Sequence, residues 1–368
     1  MTEQTHHMPV EKLENFVRDV FIKLGVPQDD AQICAEVLIA SDLRGIESHG
    51  IGRLKYYYVR MKSGQHNPIT NFEVVCESPT TAVVDGHHGM GMVIARQAMQ
   101  LAIDKAREFG MGSVAVRNST HFGIAGYYAQ MAADQGMIGL TVTNARPAVP
   151  PTFGVQPMLG TNPIAFAAPT NDDFHFVIDG ATSITQRGKI EALAREGKPV
   201  PEGYVIDQQR KPLSDAEEIL TQLTQGSASL LPLGGAGEEF GGHKGYGLCT
   251  MVEILSAALQ GGAFLLGLTG IGGDGQPVRF RVGHFFMAMN IEAFCALDEF
   301  KAITTRILQD LRQSHRAPGE ERIYTAGEKE YEKEKTIRAE GIPIPPGLQK
   351  DLVFLKEELN LDQYNFPF

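Results

Sequence analysis

A chain of 368 residues, 43% hydrophobic and 21% charged, has room for about two domains with sizeable cores, which excludes wholesale disorder. A formal net charge of −11, with no lysine- and arginine-rich block interleaved with aromatics, argues against nucleic acid as a partner. The opening MTEQTHHMPVEKLENF lacks a leader pattern, and the apolar stretch 245–262 is short and broken by Glu253. Cys34, Cys76, Cys249 and Cys295 show no metal spacing and read as buried free thiols. The expectation is a cytoplasmic protein with no membrane contact and no metal.

In chain order, Val10, Leu13, Phe16, Val17, Val20 and Leu24 recur at helical spacing, closed by Gly25. Asp29 or Asp30 caps a second predicted helix from Ala31 to about Leu43. A third follows His49, with Ile51, Leu54, Tyr58 and Met61 on one face and Gly64 as its stop. Strands are predicted at Thr81–Asp85, Ser113–Arg117 and Met137–Thr143, separated by helices at Val93–Phe109 and Ile124–Gln135. This alternation argues for an α/β layer with some parallel pairing. Strands at Pro163–Ala168 and Phe176–Asp179 follow, then a helix around Ile190–Arg195 and a polar stretch at 197–229. A helix at Tyr246–Leu259, a strand at Phe285–Ile291 and a charged helical tail broken at 342–346 complete the chain; 264–283 has no assignable pattern. The expected division is an N-terminal helical part (1–80) packed with C-terminal helices (300–368) around a central α/β domain (81–299).

Gly110-Met-Gly112-Ser-Val-Ala115 matches a dinucleotide fingerprint on paper, but it ends a helix and enters a strand, the reverse of the required context. The nucleotide fold, if one is present, is therefore non-Rossmann. His121 lies just past a strand, where ligands of open sheets collect, and Asn118, Ser119 or Thr120 is placed to cap the next helix. It is either a turn histidine or a side chain that exchanges one proton near neutral pH. His49 sits at a helix start, which keeps its ring neutral, and Arg53 follows four residues on. Arg53 and Arg146 offer guanidinium forks to a carboxylate, although a lone arginine is more often a surface residue. In 241–247, Gly-Gly-His-Lys-Gly-Tyr-Gly, glycines around His243 and Lys244 ahead of a helix suggest a phosphate nest. Asp179 ends a strand and can orient a histidine, bond a ribose, or cap a turn.

Seven segments in this order resemble the type-2 malate/L-lactate dehydrogenase family: Asp-Leu-Arg-Gly-Ile-Glu-Ser-His-Gly (42–50), Arg-Asn-Ser-Thr-His-Phe-Gly (117–123), Leu-Gly-Thr-Asn-Pro (159–163), Val-Ile-Asp-Gly-Ala-Thr-Ser (177–183), Arg-Gly-Lys-Ile (187–190), Gly-Gly-His-Lys-Gly-Tyr-Gly-Leu (241–248) and Ala-Pro-Gly-Glu (317–320). The resemblance implies an NAD- or NADP-dependent oxidoreductase of non-Rossmann α/β fold, a homodimer or larger, acting between 2-hydroxy and 2-oxo acids. It implies His121 and His49 as acid/base residues, with His121 favoured by its strand-end position, and Arg53 and Arg146 on the substrate carboxylate. It places Thr161, Asp179, Gly180, Ala181, Thr182, His243, Lys244, Gly319 and Glu320 at the cofactor. Gln186 stands where a small residue is expected. A cyclic-imine reductase of the same family and a non-catalytic small-anion binder are the alternative readings.

Overall fold

The computed structural model describes residues 4–195 and 197–368. Helices Val10–Lys23 and Gln28–Leu43 open the chain, followed by a short 3-10 turn at Ile51–Arg53 that runs into helix Leu54–Lys62. The second helix is not capped by Asp29 or Asp30. Pro27 stands at its N-cap, and both acids lie inside the first turn, where they meet the positive end of the helix dipole. In the third helix Tyr57, not Tyr58, joins Leu54 and Met61 on the buried face.

A seven-stranded mixed sheet forms the centre. From one edge the strands run Glu73–Glu77, Thr81–Asp85, Met111–Ser119, Val282–Asn290, Met137–Thr143, Ile164–Ala168 and Phe176–Gly180. Only Thr81–Asp85 with Met111–Ser119 is parallel; every other neighbouring pair is antiparallel. The strand near the C-terminus inserts between two earlier ones, so alternation along the chain overstates the parallel content. Helices Gly91–Phe109 and Ala125–Ala133 cover one face and share an alanine-rich core with the sheet. Small residues there permit close approach: a Cβ on Gly112 would stand 2.1 Å from the carbonyl of Ala102. Gly110, the first glycine of the misleading fingerprint, is the left-handed C-cap of the preceding helix.

A second core joins Leu13, Phe16, Val20, Leu38 and Tyr57 to Ile337, Ile344, Leu352 and Leu355. Its seal includes a two-stranded pairing, His6–Met8 against Ile342–Ile344, in the proline-rich break of the tail. A third core gathers Val149, Leu159, Ile190, Val205, Ile219, Leu230 and Cys249. The polar stretch contributes to it by folding as strand Val205–Asp207, helix Ala216–Gln225 and strand Ala228–Leu230. No helix among the described residues is long and apolar enough to cross a membrane. All four cysteines are free, but only Cys34 and Cys249 are buried; Cys76 is exposed and Cys295 is half-buried.

Candidate active site

The segment Ser48-His49-Gly50 leaves the second helix and is pinned from below. The Asp42 carboxylate, buried at the end of that helix, accepts the N–H of Ile51 at 2.7 Å. A Cβ on Gly50 would stand 2.0 Å from an Asp42 oxygen, so only glycine lets the chain pass there. Burial pushes the Asp42 carboxyl up to about 8, against the lowering effect of that hydrogen bond. On the other side the Arg53 Nε donates to the Ser48 carbonyl at 2.6 Å. The Ser48 hydroxyl lies 2.9 Å from His49 Nδ1, and Gln186 donates its amide to that hydroxyl at 3.2 Å. Gln186 thus fills the space a small residue would leave and holds the histidine's neighbour.

His121 faces His49, their rings stacked with centroids 5.5 Å apart and both half-buried. The Tyr57 hydroxyl lies 2.6 Å from His121 Nδ1, and the Gly123 N–H points at the same nitrogen at 3.3 Å. A backbone N–H can only donate, so Nδ1 of the neutral ring carries a lone pair and Nε2 the proton. His49 is pushed down to about 4, first by burial and then by Arg53. His121 is held well below the ordinary histidine range by burial, then by His49 and Arg53. Beneath it lies His284, fully buried, between the hydroxyls of Thr143 (2.7 Å) and Ser119 (2.8 Å) and stacked on Phe122 at 4.5 Å.

The helix-cap role expected in 118–120 is absent. Asn118 bonds Asp85, Ser119 bonds His284, and the Thr120 hydroxyl accepts the N–H of Gly91 at the start of the earlier helix. Asp179 touches neither histidine. It accepts the N–H of Gly126 at 2.7 Å, in the first turn of helix Ala125–Ala133. Asp179 is exposed along the cleft, yet the protein packed around it desolvates its carboxyl and raises it to about 6.

A cleft of about 820 Å³ runs beside these groups, a size suited to a nucleotide-class ligand. Its wall includes His49, Arg53, Thr161, Asp179, Gly180 and Ala181, together with Gln186 and Lys189. A Cβ on Gly180 would meet nothing within 4 Å, so the backbone lies open to the cleft. Thr182 stands behind the wall, its hydroxyl donating to the carbonyls of Thr161 and Asn162. His121 and Arg146 are outside the cleft wall. The glycines at 241–247 do not form an open nest: the Gly237 carbonyl takes the His243 N–H, and a Cβ on Gly242 would stand 2.0 Å from the Gly235 carbonyl. His243, Lys244, Gly319 and Glu320 are exposed and do not line the cleft.

The family model described as malate/L-lactate dehydrogenase matches residues 8–353. The chain belongs to that family. The dehydrogenase is 47% identical over 337 residues to the malate dehydrogenase of Pyrococcus abyssi, covering 92% of this chain and 90% of that protein. It is 41% identical to the L-sulfolactate dehydrogenase of Methanocaldococcus jannaschii, covering 96% and 97%. The crystal structure of malate dehydrogenase from Entamoeba histolytica superposes with a TM-score of 0.94 at 41% identity, covering 99% of this chain and 100% of that one. Tyr57, His284 and Asp42 escaped the sequence reading as site residues. Only Tyr57 left a usable signal, lying three residues after Leu54 and four before Met61 on the buried face.

Proposed function

We propose that this dehydrogenase interconverts a 2-hydroxy acid and a 2-oxo acid, with NAD or NADP as redox partner. The observation that carries the reading is the stacked pair of neutral histidines, 5.5 Å apart, of which His49 lines the cleft beside Arg53. The names of the relatives support the same substrate class. When bound, the nicotinamide supplies or accepts the hydride. Thr161, Asp179, Gly180 and Ala181 would hold it, with Thr182 bracing the wall from behind. His243, Lys244, Gly319 and Glu320 rest on the family resemblance alone.

Within this reading Arg53 and Arg146 hold the substrate as an anion, which fixes the reacting carbon. A carboxylate on Arg53 cancels part of the field that keeps both rings neutral, so ring basicity rises once substrate is in place. In reduction His121 then takes up a proton at Nδ1, where the Tyr57 oxygen accepts a hydrogen bond from it, and passes its Nε2 proton to the substrate oxygen; oxidation reverses both transfers. Reduced cofactor should be consumed with oxaloacetate or pyruvate faster than with a cyclic imino acid. Silence across that panel, with no heat of NADH or NADPH binding by calorimetry, would sink the assignment.

The reading includes a cytoplasmic homodimer. Leu248, Met251 and Ile254 are exposed on helix Gly242–Ala257, and Phe264, Leu266 and Ile271 are exposed on the adjoining loop. Exposed apolar side chains on two successive segments suit a subunit contact. Sedimentation should return twice the 40.2 kDa chain mass, and a single-chain mass at micromolar concentration would remove the dimer.

A further inference from the structure

Next to His121, and outside the wall of the cofactor-sized cleft, lies a cluster whose Arg60, His66 and Phe280 the reaction described above does not use. Arg60 is clamped between two rings: its guanidinium carbon is 5.2 Å from the centroid of Tyr56 and 5.0 Å from that of Phe280. Phe280 comes from the segment 264–283 that has no legible pattern. Gln65 anchors that segment by donating to the carbonyls of Gly270 and Val278, and it also receives a hydrogen bond from Arg60. The Tyr56 ring stands 6.1 Å from that of His121 and 6.0 Å from that of His66.

The charges here are unbalanced. Arg53, Arg60 and Arg146 all act on the Tyr56 hydroxyl, and Arg60 and Arg187 act on Arg146. Arg187 has an acid partner, Glu191 at 3.0 Å. Arg53 and Arg60 bond instead to a carbonyl and an amide oxygen, and among the described residues neither they nor Arg146 ion-pair with a carboxylate. His66, 1% exposed, has both ring nitrogens unpartnered, and so does the buried Nε of Arg60. Cations gathered at close quarters with no counter-charge repel one another, and buried donors left open are costly. A bound anion relieves both.

Arg53 is tied to the His49 loop and is placed for the carboxylate next to the reacting carbon. We propose that Arg60, with Arg146, holds a second anionic group at the far end of the substrate, so that the preferred substrate is a 2-hydroxy acid with two anionic groups. This rests on the 2-hydroxy acid reading above. It makes Arg60 a specificity-determining residue and makes Tyr56 and Phe280 the rings that keep its fork in position.

Succinate and butyrate have the same carbon count and differ by one carboxylate, and neither can be reduced at a 2-oxo carbon. With saturating NADH or NADPH, succinate should raise the melting temperature of the wild-type enzyme more than butyrate at equal concentration. Arg60→Gln should abolish that difference, and Arg60→Lys should keep part of it. In kinetics, the malate-to-lactate ratio of kcat/KM should fall about 10- to 100-fold in Arg60→Gln, the size of one lost charge-assisted contact. Equal stabilisation of the wild type by the two acids, or an unchanged ratio in a folded Arg60→Gln, overturns the subsite. If Arg60→Gln fails to fold, the wild-type pair and Arg60→Lys decide. Selective stabilisation by succinate with no turnover of any 2-oxo acid would support the subsite and remove the dehydrogenase reading, so the two failures are distinguishable.

Discussion

Replacing His121 by alanine should lower kcat for 2-oxo acid reduction by about 100- to 10,000-fold, the range expected for a positioned proton donor. NADH affinity, read by fluorescence titration, should not change, because His121 lies outside the wall of the cleft. The direction of the pH dependence follows from the ring's environment. Burial and the neighbouring His49 and Arg53 keep free His121 neutral at pH 7, so reduction must take up a proton along with the substrate. In the wild type, kcat/KM for reduction should therefore fall about tenfold per pH unit through the neutral range, while oxidation of the hydroxy acid lacks that fall. In His121→Ala the steep dependence should vanish. A role confined to packing would leave the slope intact in the residual activity. His49→Ala is the counter-test: its Nδ1 is held only by Ser48, itself held by Gln186, so the loss should be smaller. A larger loss there than at His121 would reverse the two roles.

What was legible in the sequence follows from where each contact is made. Ser48-His49-Gly50 and Thr120-His121-Phe122 announce themselves because a reactive side chain beside a turn must sit among small or capping residues, and those are neighbours in sequence. The long amphipathic helices were equally visible, since Leu13, Phe16, Val17 and Val20 carry the helical period locally. Partners recruited across the fold were not. Tyr57 reaches His121 from 64 positions away, and in sequence it is one of three consecutive tyrosines. His284 lies in a strand whose neighbours, Ser119 and Thr143, belong to two other strands, and nothing in Val282–Asn290 specifies that register. Arg60 carries no sequence signal, because Phe280 comes to it from a segment with no legible pattern. The glycines at 241–247 suit a phosphate by residue type, yet Gly242 and Gly245 also bring two stretches of backbone together, a demand that leaves the same glycine signature.

Acid should reveal the buried histidines as a loss of stability. His66 and His284 are 1% and 0% exposed, and burial holds both near a value of about 3. In the unfolded chain each takes up a proton near the usual 6.5, while the folded state takes up none until the pH is far lower. Their contribution is thus fully present above 6.5 and is lost as the pH falls below it. At pH 5 the loss is about 2 kcal/mol for each ring, and it is insensitive to the folded value as long as that value stays below 5. Asp42 works in the opposite direction. Its folded value of about 8 lies above the unfolded one, so its contribution is present at low pH and is lost as the pH rises from about 4 through 8. Stability should therefore rise as the pH is lowered from 8, turn over near 6.5, and fall below it. Urea midpoints at about pH 7.5 and about pH 5 separate the two effects when the wild type is compared with His66→Phe/His284→Asn. Between those two pH values the double variant should lose about 4 kcal/mol less than the wild type, because Asp42 contributes equally to both proteins and cancels. The same pH-dependent change in both proteins would mean that these rings take up protons while folded, which the apolar surroundings of His66 and the filled hydrogen bonds of His284 argue against.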